Sequence, residues 1–229
     1  MNSLKKLTNR KSTHISKKKH SIKKKIIKLT GGDIILRKQY QQIFKSFKKY
    51  HPNFNKSISN RITEYEAAIG FTEATRVGSR QFNIKFGEFM EDVYDTSVLF
   101  TKLPQTGAKG GNDGESSTTM YECKSRHDTM KGSTAVKEIS TKLDYAIQVD
   151  KDFILLILTD RNNISRDIPL HKGSSLKKIT TVDGYDPEKH RWISGDNVYI
   201  HLFGSNANKI KKFIIDLLYQ TSSLHPTTL

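Results

Sequence analysis

Thr118-Thr-Met-Tyr-Glu-Cys-Lys-Ser125 and Phe153-Ile-Leu-Leu-Ile-Leu-Thr159 flank Thr134-Ala-Val-Lys-Glu-Ile-Ser-Thr-Lys-Leu-Asp-Tyr-Ala-Ile-Gln-Val149. The first segment reads as a strand, with side chains two apart sharing a face. The middle segment opens after Gly132-Ser133 and repeats Val136, Ile139, Leu143, Ala146 and Ile147 on one helical face. The last is continuously apolar and β-branched-rich, the pattern of a strand buried on both sides. A strand–helix–strand unit favours parallel pairing through a right-handed crossover. The expected class is α/β, with a central mixed β-sheet flanked by helices.

The rest follows outward from that unit. Upstream, Phe82, Phe86, Phe89 and Val93 lie on one face of a helix over about 81–95, while Glu88, Glu91, Asp92 and Asp95 make it acidic. Ser97–Leu103 reads as a strand, and the glycines from Gly107 to Gly114 read as tight turns. Residues 34–50 form a basic helix, expected to stop at His51-Pro52. A second helix is expected over 57–69. Downstream, weak strands fall near 176–182 and 192–203, and a last helix covers about 206–220.

The 229 residues carry a formal net charge of +16, unevenly placed. Eleven Lys or Arg fall within residues 1–32, and all 23 acids lie beyond them. Such a charge block repels itself and buries little, so 1–32 reads as a disordered basic arm before a single folded body, 33–229. The arm suits nucleic acid, because neutralised phosphates release counterions. It also reads more plainly as a solvated tail, a membrane-surface segment or an import address. The longest apolar run, Phe153 to Leu158, is far short of the roughly 20 residues that span a bilayer. No apolar leader follows the first residues, and Cys123 is the only cysteine, which excludes an internal disulfide. A reducing compartment, cytoplasmic or nuclear, is therefore expected, with no membrane partner and no secretion.

The chemistry concentrates in Asp113-Gly-Glu-Ser-Ser-Thr-Thr-Met-Tyr-Glu122-Cys-Lys124. On a strand, Glu122 and Lys124 project to one side and Tyr121 and Cys123 to the other. A hairpin would return the Asp113 carboxylate beside Glu122. Two neighbouring carboxylates repel unless a cation joins them, and Mg²⁺ is held by one or two carboxylates plus water. Lys124 could then orient a water or stabilise phosphate charge. The plainer reading is a salt-bridged surface strand. Against it, Glu122-x-Lys124 is the only acid-x-Lys triplet in the chain.

This arrangement resembles the PD-(D/E)xK nuclease superfamily, and within it the type II restriction endonucleases, over roughly residues 80–160. The resemblance implies a restriction-endonuclease-like core, Asp113 and Glu122 as Mg²⁺ ligands, and Lys124 as the catalytic lysine. Gly87-Glu-Phe-Met-Glu91 matches the family's early-helix Gly-x-x-x-Glu pattern, which makes Glu91 the third metal acid and Glu88 its fallback. Asn112 stands where the family often has proline. The expected activity is Mg²⁺-dependent hydrolysis of double-stranded DNA by a homodimer. The rivals are a structure-selective nuclease, such as a Holliday-junction resolvase, and a non-catalytic packaging protein resting on the basic arm. Ser125, Arg126 and His127 would lie at the site's mouth. Arg76, Arg80 and Lys85 are candidate phosphate clamps, and the polar segments 160–175 and 183–192 are candidate base readers or plain surface loops.

Deleting residues 1–30 is expected to weaken duplex-DNA binding and flatten its salt dependence. Gel retardation at graded salt checks this; an unchanged slope would show that the arm makes no phosphate contacts.

Overall fold

The structure, a computed structural model, describes residues 34–55, 80–104, 111–126, 133–159, 164–173 and 176–222. The chain divides into the units Met1–Gln39 and Tyr40–Leu229. Of the first unit, the described residues 34–39 are helical. The basic arm, the helix expected over 57–69, the glycines Gly107 and Gly110, Arg76 and His127 lie outside the described residues.

In chain order the elements are α1 (Ile34–Asn55), α2 (Arg80–Tyr94), β1 (Thr101–Lys102), β2 (Gly114–Glu115), β3 (Thr119–Arg126), α3 (Ser133–Gln148), β4 (Asp152–Thr159), β5 (Arg166–Pro169), β6 (His190–Ser194), α4 (Asp196–Phe203) and α5 (Ala207–Ser222). Six strands form one sheet in the order β1-β2-β3-β4-β6-β5. The outer pairs β1/β2, β2/β3 and β5/β6 are antiparallel, and β3/β4 and β4/β6 are parallel. The fold is thus mixed α/β, a six-stranded mixed sheet flanked by helices.

Register explains how the two faces differ. Glu122, Leu155 and Trp192 align across β3, β4 and β6, as do Cys123, Leu156 and Ile193. One face carries Met120, Leu155, Ile157 and Trp192 against Ile139, Leu143 and Ala146 of α3 and against Leu170, Leu176 and Ile179. The other face carries Tyr121, whose ring meets Phe100, which in turn meets Tyr94 of α2. Phe89 of α2 packs edge-on to Phe47 of α1, and Tyr40 packs on Phe213 of α5. β4 is buried along nearly its whole length, as its apolar run requires.

Several expectations need correction. The strand expected over 97–103 is only Thr101–Lys102, because the chain turns after α2. Ser97 N–H donates to the Tyr94 carbonyl, and the Ser97 hydroxyl donates to the Leu202 carbonyl at 2.6 Å. Residues 176–182 are not a strand: Lys177–Thr181 is a 3₁₀ helix with Leu176 and Ile179 buried and Val182 packed on the same core. That i, i+3, i+6 spacing puts all three on one 3₁₀ face. The strand expected over 192–203 ends at Ser194, where Gly195 takes φ 61° and starts α4. Val198, Tyr199, Leu202 and Phe203 are buried at helical spacing. β5 occupies part of the segment read as a polar loop over 160–175. α1 runs past Pro52 to Asn55; the proline forfeits one backbone hydrogen bond near the helix end without stopping it. No described helix is long and apolar enough to cross a membrane.

Gly114 has no room for a side chain. An added Cβ would lie 2.3 Å from Cζ of Phe100, a ring only 1% exposed. Gly114→Ala is therefore expected to lose roughly 1–3 kcal/mol of stability by overpacking. Urea denaturation measures it, and an unchanged midpoint would mean the Phe100 ring gives way freely.

Candidate functional site

Asp113 and Glu122 come together through the β2–β3 hairpin. Gly114 pairs with Tyr121, and Asp113 N–H donates to the Tyr121 carbonyl at 2.9 Å, so Asp113 extends the ladder beside Glu122. The Cys123 N–H donates to Asp113 Oδ2 at 2.7 Å. The backbone of the motif strand thus fixes one oxygen of the aspartate, while Oδ1 has no hydrogen-bond donor among the described residues.

Glu122 has no exposed surface. A carboxylate so placed is costly unless cations meet it. Lys124 Nζ lies 2.6 Å from Glu122 Oε1, a close pairing of opposite charges. Lys142 of α3 donates to Glu122 Oε2. Both lysines also approach Glu138 Oε1, at 3.0 and 3.6 Å. Period-two alternation places Glu122 and Lys124 together on the α3 face, as expected. Lys142 and Glu138 escaped the sequence reading. The signal available was an i, i+4 Glu–Lys pair beside the buried Ile139 and Leu143.

Burial raises the Glu122 carboxyl first, the Asp113 charge adds to it, and the two lysines oppose; the result is about 7. Burial also raises Asp113, against the Cys123 N–H and the Lys142 charge. For the Lys124 amine burial works downward, but Glu122 and Glu138 outweigh it and push it up. Glu138 is lowered: burial is outweighed by its pairing with Lys124 and Lys142. Burial, then the charges of Asp113 and Glu91, hold the Cys123 thiol well above its ordinary range, which fits an inert thiol. Cys123 is half-buried, in a pocket with Gly87, Met90, Glu91, Tyr94, Lys124, Ser125 and Leu158.

Glu91 lines the Cys123 pocket, 8% exposed; its charge adds to the upward shift of Asp113, and Lys102 Nζ is 3.3 Å from its Oε2. Burial raises Glu91, and Lys102 opposes that shift. Its fallback Glu88 pairs with Lys85 at 2.8 Å, so Lys85 is engaged as well. The acidic stretch of α2 is largely met by protein cations: Asp92 takes Lys102 at 2.6 Å and the Ser46 hydroxyl at 2.7 Å. No three His, Cys, Asp or Glu side chains converge as a metal-holding group among the described residues. A two-carboxylate set remains. Hard oxygens of this kind suit Mg²⁺, which keeps several waters; two ammoniums of the protein lie on Glu122.

Among the candidate base readers, Arg191 grips Asp167 Oδ1 through Nε at 3.0 Å and Nη2 at 2.8 Å. His190 is buried, and its Nδ1 accepts the Asp186 N–H at 2.9 Å. Arg191 thus ties β6 to β5 at the sheet edge, while His190 closes the turn from Asp186 into β6. Ser125 accepts the Thr159 hydroxyl on its carbonyl at 3.0 Å. No known family, curated protein or solved structure matches this chain.

A carboxyl raised on folding binds protons that the unfolded chain has released. Wild-type stability should therefore fall as pH rises from about 4.5 to 7, by on the order of 3 kcal/mol for Glu122, with Asp113 adding to the fall. Glu122→Gln should flatten much of that slope in urea denaturation between pH 5 and 8. Parallel curves for the two proteins would show that Glu122 stays ionised throughout.

Proposed function

We propose that this chain is a Mg²⁺-dependent endonuclease with a restriction-endonuclease-like core of the PD-(D/E)xK type, hydrolysing phosphodiester bonds in double-stranded DNA. One observation carries the reading: a fully buried strand carboxylate, Glu122, next to Asp113, with Lys124 of the same strand against its Oε1. A buried ionic cluster is a poor source of stability compared with apolar packing, so a chemical role is the better account of it. The antiparallel β2–β3 hairpin, the α3 crossover and the parallel β4 support the same core.

Asp113 and Glu122 would hold the metal. When bound, Mg²⁺ lowers the pKa of a water and offsets charge on the scissile phosphate. The acidic neighbours of Lys124 push its amine up, so it meets the substrate as an ammonium that would donate to a phosphate oxygen or orient the attacking water. Asp113 is held by the Cys123 N–H, so its free oxygen keeps a fixed direction. Glu91, the third acid that the resemblance implies, pairs with Lys102 here. A homodimer would place two such sites on the two strands of a duplex.

The Lys124–Glu122–Lys142–Glu138 ring also favours a second reading, in which these charges are structural and the protein binds nucleic acid without cutting it. Incubation of long unmodified duplex DNA with Mg²⁺ or EDTA separates the two. Cleavage that needs Mg²⁺ and drops roughly 10²-fold or more in a folded Asp113→Ala or Lys124→Ala variant is expected. DNA left intact but retarded on a gel supports the second reading. Cutting confined to branched DNA keeps the site and makes the enzyme structure-selective.

A further inference from the structure

Two members of the charge ring, Lys142 and Glu138, have no part in the mechanism above. Glu122 meets Lys124 on Oε1 and Lys142 on Oε2. Both lysines reach Glu138, which is the ring's most open member at 44% side-chain exposure. The Lys142 side chain is only 12% exposed and occupies the inner position. Its second partner sits one helical turn back on the same face of α3. Lys142 is thus a flexible cation with two acidic seats, one inward on Glu122 and one outward on Glu138.

A divalent ion shared by Asp113 and Glu122 needs a carboxylate oxygen that Lys142 already holds, and two cations on one oxygen repel. We propose that Lys142 is the resident counter-cation of the acid pair, and that a divalent ion seats itself by displacing this ammonium from Glu122 Oε2 toward Glu138. The proposal rests on the reading of Asp113 and Glu122 as metal ligands. Lys124 already has a part in the reading above, on a phosphate oxygen or the attacking water, which leaves the Lys142 ammonium on Oε2 as the counter-cation to displace. Lys142 therefore acts as a positioning residue. Apparent metal affinity becomes the intrinsic affinity scaled by the fraction of molecules whose Lys142 has swung outward. Glu138 sets that fraction from the surface.

The test is Mn²⁺ binding to the full chain, followed by the electron paramagnetic resonance signal of free ion at one pH and ionic strength. Circular dichroism monitors the fold. Lys142→Met is expected to bind Mn²⁺ about tenfold tighter than wild type or better, while Lys142→Arg, which keeps the charge, stays within about threefold. Glu138→Gln should weaken binding several-fold in wild type and clearly less in the Lys142→Met background, where only its pairing with Lys124 is left to lose. If Lys142→Met loses its fold, Lys142→Gln repeats the measurement with a polar but uncharged side chain. Equal or weaker binding by the folded, uncharged variant overturns the proposal and leaves the metal site standing. Failure of wild type and every variant to bind Mn²⁺ overturns the metal-site reading and the proposal with it.

Discussion

A carboxylate with no exposed surface sits in the third strand of this sheet, and much of the neighbouring structure is arranged around its charge. Burying an ionised Glu122 alone would cost several kcal/mol even after relaxation. Lys124 from its own strand and Lys142 from α3 bring that cost within reach, and Glu138 balances the second positive charge. The seat of α3 on the sheet is therefore fixed twice. Ile139, Leu143 and Ala146 supply apolar contact with β4 and β6, and two residues of the same helix supply counter-charges. The apolar contact favours docking in general. The ion contacts select one rotation of the helix about its axis, because an error of one position would take the Lys142 ammonium away from Glu122.

The same electrostatic logic explains the fate of the other acids. In a chain this rich in lysine, an acid on a packed helix meets a lysine before it meets another acid. Glu88 has Lys85, Asp92 has Lys102, and Glu91 is drawn to Lys102 as well. Lys102 also donates its backbone N–H to Asp95, so β1 is tied to the end of α2 by charge and by hydrogen bond. That short strand exists less by β-propensity than by this anchoring. The acidity of α2, the most prominent local departure from the basic composition, serves to join elements of the fold.

How far the sequence could be read depends on whether a signal was local. β3, α3 and β4 were legible because each has one dominant period and clear punctuation between them. The stretch 196–203 was not, because Val198, Tyr199, Leu202 and Phe203 satisfy a short buried strand nearly as well as two turns of helix. Only the sharp turn at Gly195 separates those outcomes. β5 reads as polar because it is an edge strand, held by pairing with β6 and by the Arg191–Asp167 grip across it. In the site, the shared face of Glu122 and Lys124 followed from strand alternation, and the place of Asp113 from hairpin geometry. Lys142 and Glu138 depended on the rotation of a helix, and Glu91 on a lysine eleven residues away. Neither can be read from spacing.

This division of labour bears on how the site can change. Backbone hydrogen bonding sets its geometry: the hairpin positions Asp113, the Cys123 N–H aims it, and the sheet fixes Glu122. Side chains on α3 set its charge balance. A strand-borne pair of acids is held stiffly, as a site for a small, hard cation requires. A lysine on a helix can leave its acid by rotating about side-chain bonds, without disturbing a strand. On the reading proposed above, rigid acids and a movable counter-charge let one buried carboxylate satisfy two demands that a fixed partner could not: neutralisation by the protein itself, and access for a competing cation.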